Sequence, residues 1–303
     1  METISQGAFL LSLVASAGAT LAHWRQLLGV RLVVRRLATE AGAGPAVASV
    51  EPADSRSGAA VGRMGTALTW LVLLFLIASL GARWQAAGYA PWSNMYEFTV
   101  AFAAGITAFY AIFERWYWRR RAARAMGSIV LPVVLAMLIV AGLFFPAQIQ
   151  PLVPALQNSD LLAVHVAAMV LAYGALSISF AAAVLYLVQG GRRHRFQRLP
   201  RAQLLDDIAY KSVMVGFPLL AVGIALGAYW ANSAWGRYWG WDPKETSSLV
   251  TWLIYGIYLH AHGLRGWAGT RSAVILVLGF AAVLFTYFAV NLWVSGLHSY
   301  AGV

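Results

Sequence analysis

The chain has 303 residues, 60% of them hydrophobic and only 11% charged, with a mean hydropathy of +0.67 and a formal net charge of +11. Soluble domains carry roughly 25% charged residues, so a water-soluble globular fold is excluded and the bilayer is the expected solvent. The excess charge does not point to nucleic acid, because the basic residues fall in short joints between apolar runs.

A membrane-spanning helix needs about 20 mostly apolar residues. Eight runs approach that length, in chain order Ile4 to Ala22, Met64 to Leu80, Phe98 to Phe113, Ile129 to Phe145, Leu161 to Val188, Val213 to Trp230, Leu249 to His262 and Ala273 to Val294. Continuous backbone pairing makes helices the only workable spanning elements among such runs. The expected fold is therefore all-α, a polytopic membrane helix bundle of about eight transmembrane helices in one integral membrane domain over residues 1–303. The fifth run is longer than a perpendicular helix requires, so tilt or extension past the headgroups is expected. The seventh is short unless the polar residues before Leu249 begin its helix. The small-residue tail of the first run, Ala15 to Ala22, imitates a signal peptide, but Glu2 precedes it and arginines follow it, the reverse of a signal peptide's charge order. That run is expected to remain as a helix. Residues 41–62, AGAGPAVASVEPADSRSGAAVG, carry too little apolar bulk to pack and read as a disordered cytoplasmic loop.

Lys and Arg residues fall in alternate joints. All but Arg83, Arg237 and Lys244 of the 22 lie in the joints after the first, third, fifth and seventh runs, and the positive-inside rule places those joints in the cytoplasm. Both termini are then expected outside, in a multi-pass protein of the cytoplasmic (plasma) membrane.

The external joints are poor in charge and dense in rings. Between Tyr229 and Trp241 six residues are aromatic, namely Tyr229, Trp230, Trp235, Tyr238, Trp239 and Trp241, with Gly236 and Gly240 interrupting them. Interfacial belts account for two or three such rings; the whole set suits a flat aromatic shelf for a planar apolar ligand. Asp242, Pro243 and Glu245 follow in the order of a helix start, with Asp as cap, Pro at the first helical position and Glu completing a capping box. The external tryptophan-rich loop is taken as residues 229–246.

The stretch WGRYWGWDPKETSSLVTWLIYGIYLH, Trp235 to His260, resembles the tryptophan-rich WWD signature of the CcsA family, also called ResC, of System II cytochrome c biogenesis. PWSNMYEF (Pro91 to Phe98), LAVHVAAMVLAYGAL (Leu162 to Leu176) and SGLHSY (Ser295 to Tyr300) are similar to that family too. The resemblance implies a protein that handles haem b without covalent attachment and presents it at the external face for linkage to the CxxCH of apocytochrome c. It also implies a cytochrome c synthase (haem lyase) complex with a ResB/CcsB-type membrane partner. The chain has no cysteine, so it carries no CxxCH of its own and depends on a separate thiol-reducing pathway.

Histidines are the usual axial ligands of haem. His165, near the external start of the fifth run, and His298, just beyond the eighth, are expected at one membrane level beside the aromatic loop, and the resemblance implies that they are the external axial ligands of the haem iron. Ala168 and Ala172, one and two turns below His165, leave room on that face. His260 lies in the inner half of its helix, with Gly256 one turn before it; the resemblance implies that it is one ligand of a transmembrane haem site completed by the partner. Trp235, Tyr238, Trp239 and Trp241 are the expected ring contacts. Arg237 and Lys244 either meet the propionates or neutralise Asp242 and Glu245. Asn94, Tyr96 and Glu97 either orient the outer loop or open the third helix. His23 and His194, among cytoplasmic arginines, are read as solvated or lipid-facing. Two rival readings stay open: an exporter of haem or another amphipathic solute without ligation activity, and a b-type electron-transfer subunit.

Overall fold

The computed structural model describes residues 1–28, 55–117, 119–149, 151–152, 156–157, 160–191, 195–264, 267 and 269–298. Among these the regular elements are all helical: α1 (Glu2–Leu28), α2 (Ser55–Ala87), α3 (Met95–Trp116), α4 (Arg120–Phe144), α5 (Asp160–Val188), α6 (Ala202–Trp235), α7 (Pro243–His262), α8 (Thr270–Leu284), and the short α9 (Val290–Leu292) joined to α8 by a π-turn at Phe285–Ala289. Seven spans, α1 to α6 and the continuous run Thr270–Leu292, are long and apolar enough to cross a membrane. The polytopic all-α bundle expected from the sequence is the fold. α7 falls short of that measure because Lys244 and Glu245 occupy its first turn.

Helices overrun their apolar stretches, because a helix satisfies its own backbone groups in water as well as in lipid, whereas hydropathy marks only the lipid-embedded part. α6 starts at Ala202, well before Val213, and α2 starts at Ser55, inside the stretch read as a loop over 41–62. Residues 41–54 of that stretch lie outside the described residues.

α1 and α2 pair closely, as do α5 and α6, and α3 and α4 lie between these pairs. Small residues set the α5 contacts. A Cβ at Gly174 of α5 would meet Phe109 Cβ of α3 at 2.7 Å, and one at Gly216 of α6 would meet Leu176 Cδ2 at 2.8 Å and Ala172 O at 3.2 Å. Such backbone approach is how membrane helices gain dispersion contact where lipid is as apolar as leucine. It also corrects one expectation: the room below His165 at Ala172 is taken by α6, and Ala172 is fully buried.

Polar clasps fasten the α1–α2 pair to α3 and α4 at both ends. At one end Arg83 of α2 and Glu97 of α3, both buried, form an ion pair. Ser93 donates to Glu97 Oε2 from its backbone N (2.6 Å) and its Oγ (2.7 Å), Asn94 Oδ1 caps α3 by accepting from Glu97 N (2.9 Å), and Arg83 Nη2 donates to Gln148 O at 3.1 Å. Asn94 and Glu97 therefore open α3 and also bind the α2 end to it. At the other end Glu114 accepts from Thr66 Oγ1 and from Arg124 Nε (3.1 Å), while Trp24 Nε1 donates to Ser128 O at 2.8 Å. His23 belongs to this inner clasp. It is 1% exposed, its Nε2 lies 3.4 Å from Thr69 Oγ1, and its ring meets Tyr110 edge-on at 5.8 Å. The expectation of a solvated or lipid-facing His23 is overturned, because Gly65 and Gly127 leave the ring a slot between α2 and α4. His194 lies outside the described residues.

Candidate functional site

α5 and α6 run side by side at the end of the bundle that carries the tryptophan-rich loop, and their register fixes His165. Gly227 of α6 lies directly against the imidazole, where a Cβ would stand 2.7 Å from Cε1 and 2.9 Å from Nδ1. His165 Nδ1 is 2.7 Å from the carbonyl oxygen of Gly223. A carbonyl only accepts, so Nδ1 carries the proton and Nε2 is the nitrogen with the lone pair. Neither glycine stands out in the sequence, since each is one of 28.

His298 reaches the same place from a different kind of support. Beyond α9 residues 293–296 are exposed and non-helical, and the chain then turns back over the start of α7. Asp242 holds it there: Leu297 N donates to Asp242 Oδ1 at 2.7 Å, and His298 Nδ1 lies 2.7 Å from Asp242 Oδ2. The carboxylate accepts, which puts the second imidazole in the same tautomer as the first. Burial pushes His298 below the ordinary histidine pKa, Asp242 offsetting this only in part, so the ring is neutral. Burial alone raises the Asp242 carboxyl, but the His298 ring and the Leu297 and Lys244 backbone N–H groups outweigh it and hold the group below the usual value. The pair is a neutral imidazole donating to an ionised carboxylate. A carboxylate behind a histidine's second nitrogen is the usual way of orienting a metal-binding imidazole.

Asp242 also caps α7, accepting from Lys244 N at 3.2 Å, while Glu245 Oε2 accepts from Asp242 N (3.1 Å) and Gly240 N (2.8 Å), so the capping box is present. The aspartate thus does two jobs, of which only the local one was legible in sequence; its partner His298 is 56 residues away.

Both imidazoles line one cavity of about 100 Å³, with Met169, Tyr173, Trp230, Trp239, Lys244 and Thr286 among its walls. The π-turn at Phe285–Ala289 contributes here. Its wider coil puts Thr286 on the cavity and Tyr287 against Thr99 Oγ1 at 2.9 Å. Lys244 Nζ donates to Asn291 Oδ1 at 2.8 Å, just past that turn.

The rings do not form one flat shelf. Trp235 meets His298 edge-on at 4.8 Å, Trp230 meets Trp235 at 73°, and Trp239 and Trp241 are nearly perpendicular at 88°. Trp239 alone of the four named ring residues lines the cavity; Trp235 braces His298, and Tyr238 and Trp241 stand exposed. Trp241 has φ 57°, left-handed backbone that disfavours a large side chain. Arg237 is exposed and folds over Gly240, its Nε 2.6 Å from where a Cβ would be. Among the described residues no ion pair joins Arg237 or Lys244 to Asp242 or Glu245. His260 does not join this site: it is exposed near the far end of α7, outside the cavity.

Two neutral imidazoles on separate segments of one membrane cavity, beside a WGWDP loop, match what residues 92–298 share with the family described as cytochrome C assembly protein. The chain belongs to the CcsA family. A "Cytochrome c biogenesis protein CcsA" of Microcystis aeruginosa is 38% identical over 280 residues, covering 75% of this chain and 84% of that protein. The CcsA of Chlamydomonas reinhardtii is 39% identical over 244 residues, 78% of this chain and 67% of its own length. That of Synechococcus sp. strain JA-3-3Ab is 36% identical, covering 96% and 99%. Among solved structures a "Cytochrome c Heme Lyase CcmF" superposes with a TM-score of 0.68 at 19% identity; it covers 95% of this chain, which spans 46% of the CcmF length. That likeness establishes a shared fold. The CcsA relatives place this multi-pass membrane protein in cytochrome c biogenesis, with the WWD loop as its signature.

Proposed function

We propose that this CcsA protein binds haem b between His165 and His298 and presents it for covalent attachment to the CxxCH of an apocytochrome c. The observation that carries the reading is the pairing of two imidazoles on one cavity, each with Nδ1 engaged by an acceptor of its own and Nε2 as the remaining coordinating nitrogen. Haem iron takes two axial ligands, and histidine pairs are well suited to supply them. The ring-lined walls suit a porphyrin face, and Lys244 supplies a cation for a propionate. The cavity is smaller than a porphyrin, so entry requires the exposed elements around it to yield.

In this reading the loop side is external, both termini are external, and the membrane is the plasma membrane. Attachment is an addition: the cysteine S–H crosses the vinyl C=C, sulfur bonding to one carbon and the proton going to the other, with no net electron transfer. The chain's contribution is position, which for two held reactants is worth about 7–11 kcal/mol in favourable cases. Having no cysteine, it relies on a separate thiol-reducing pathway to keep the apocytochrome reduced. His260, on an exposed helix face, is the ligand this chain offers to a second, transmembrane haem site shared with a ResB/CcsB-type partner.

The experiment is a pigment spectrum of the purified complex, native and with His165, His298 or His260 replaced by Ala, followed by supply of apocytochrome. Loss of the low-spin spectrum in the first two variants and thioether formation by the native complex support the reading. Haem efflux without attachment turns it into a carrier, and an unchanged spectrum in a double His165→Ala, His298→Ala variant overturns it.

A further inference from the structure

The two imidazoles are matched in chemistry but not in support. His165 projects from the sixth residue of the 29-residue α5, with its proton on the backbone of α6 and a glycine of α6 closed against its ring. Displacing this ring by ångströms means separating two long helices packed through glycine. His298 stands on a short non-helical segment whose residues 293–296 are exposed, Trp293 by 80%, and which touches no helix along its own axis. Its anchor is one side chain, Asp242, through two hydrogen bonds of 2.7 Å, together with edge contact from Trp235.

Iron with two protein imidazoles has both axial positions filled, so the histidine of an incoming CxxCH binds only where one of the two leaves. We propose that His298 is the exchangeable ligand and His165 the permanent one: the segment from Trp293 to His298 swings away on release from Asp242, and the substrate's histidine takes its place. This rests on the haem-presenting reading above and adds to it an order of events. The same movement enlarges a cavity that is too small when closed, since His298 and Trp230 form part of its wall. Asp242 then acts as a positioning residue, a latch that returns the segment once product has gone, and its second role as cap of α7 keeps it fixed while the segment moves.

The test uses His298→Met and His165→Met in the full-length protein with its partner, loaded with haem so that each carries one His and one Met ligand. The probe is an apocytochrome peptide bearing CxxCH with both cysteines replaced by serine, so that ligation is read without attachment. The expected result is loss of the methionine signature in His298→Met and its persistence in His165→Met. The reverse pattern, or loss in both, overturns the proposal. Should the methionine variants fail to load, His298→Gly and His165→Gly filled with isotope-labelled imidazole give a second reading: the peptide releases label from the first and not from the second, and release from His165→Gly alone refutes the assignment. A haem-free measurement accompanies them. The Leu297 amide exchanges its hydrogen faster than the amides flanking His165, and faster again in Asp242→Ala; equal protection of Leu297 and His165 counts against an exchangeable segment. A native protein without a bis-imidazole spectrum, by contrast, sinks the site reading itself.

Discussion

Gly227→Ala is the smallest change that tests how the site is built. The added Cβ would stand 2.7 Å from His165 Cε1, 2.9 Å from Nδ1 and 3.4 Å from Nε2. The ring must move, and moving it breaks the 2.7 Å bond to Gly223 O. Overpacking costs about 1–3 kcal/mol and the lost hydrogen bond about 1 kcal/mol, against a helix-propensity gain of about 1 kcal/mol for replacing Gly with Ala. The expected net loss is ~1–3 kcal/mol. Thermal unfolding of the detergent-solubilised protein, followed by helical circular dichroism, reads the stability, and a haem titration reads the ligand. Gly256→Ala is the control, because its Cβ would meet nothing closer than Phe217 Cε2 at 3.6 Å; it gains the propensity without the clash. Equal melting temperatures for the two variants, with unchanged haem affinity in Gly227→Ala, would refute the idea that α6 backbone fixes His165.

Four further outcomes are expected. Asp242→Ala removes the acceptor behind His298 and weakens haem binding about 10–100-fold, the usual cost of losing such a partner, while Asp242→Asn loses less because an amide oxygen still accepts; a titration with no difference between native and Ala proteins contradicts this. Arg83→Met alone strands Glu97 in a buried site and costs about 3–5 kcal/mol, whereas Arg83→Met with Glu97→Leu recovers most of it; a double variant no more stable than the single counts against a buried pair. His23→Phe keeps a ring in the slot beside Tyr110 and removes a buried Nδ1 that has no hydrogen-bond partner, so stability holds or rises and haem binding is untouched, and a loss of pigment in this variant would show a role that packing does not. Finally, His298 is held below its ordinary pKa of 6.5; below pH 6.5 the unfolded chain takes up a proton that the folded one refuses, so this contribution to stability is present above that pH and fades as pH falls. Melting of the haem-free native protein should therefore drop more steeply on acidification than that of His298→Ala, and parallel curves would contradict the shift.

The sequence by itself determined the class of fold, because eight apolar runs in a membrane admit only helices, and it marked the start of α7, because an N-terminal capping box is a contact among neighbours in the chain. It also named His165, His298 and the WWD residues, through types and spacings in short stretches. Only the tertiary structure decided what those residues face. Gly223 and Gly227 became the backing of His165 through the register of α5 on α6, which hydropathy does not encode, since all faces of these helices are apolar. Asp242 became the partner of His298 through a chain reversal across 56 residues, while His260, just as conspicuous in sequence, was left outside the cavity. His23 was misjudged for the same reason: neighbouring arginines described its surroundings along the chain, whereas two glycines on other helices set its burial. Local order follows from what adjacent residues can satisfy among themselves; a site follows from which helices approach closely enough to share one space.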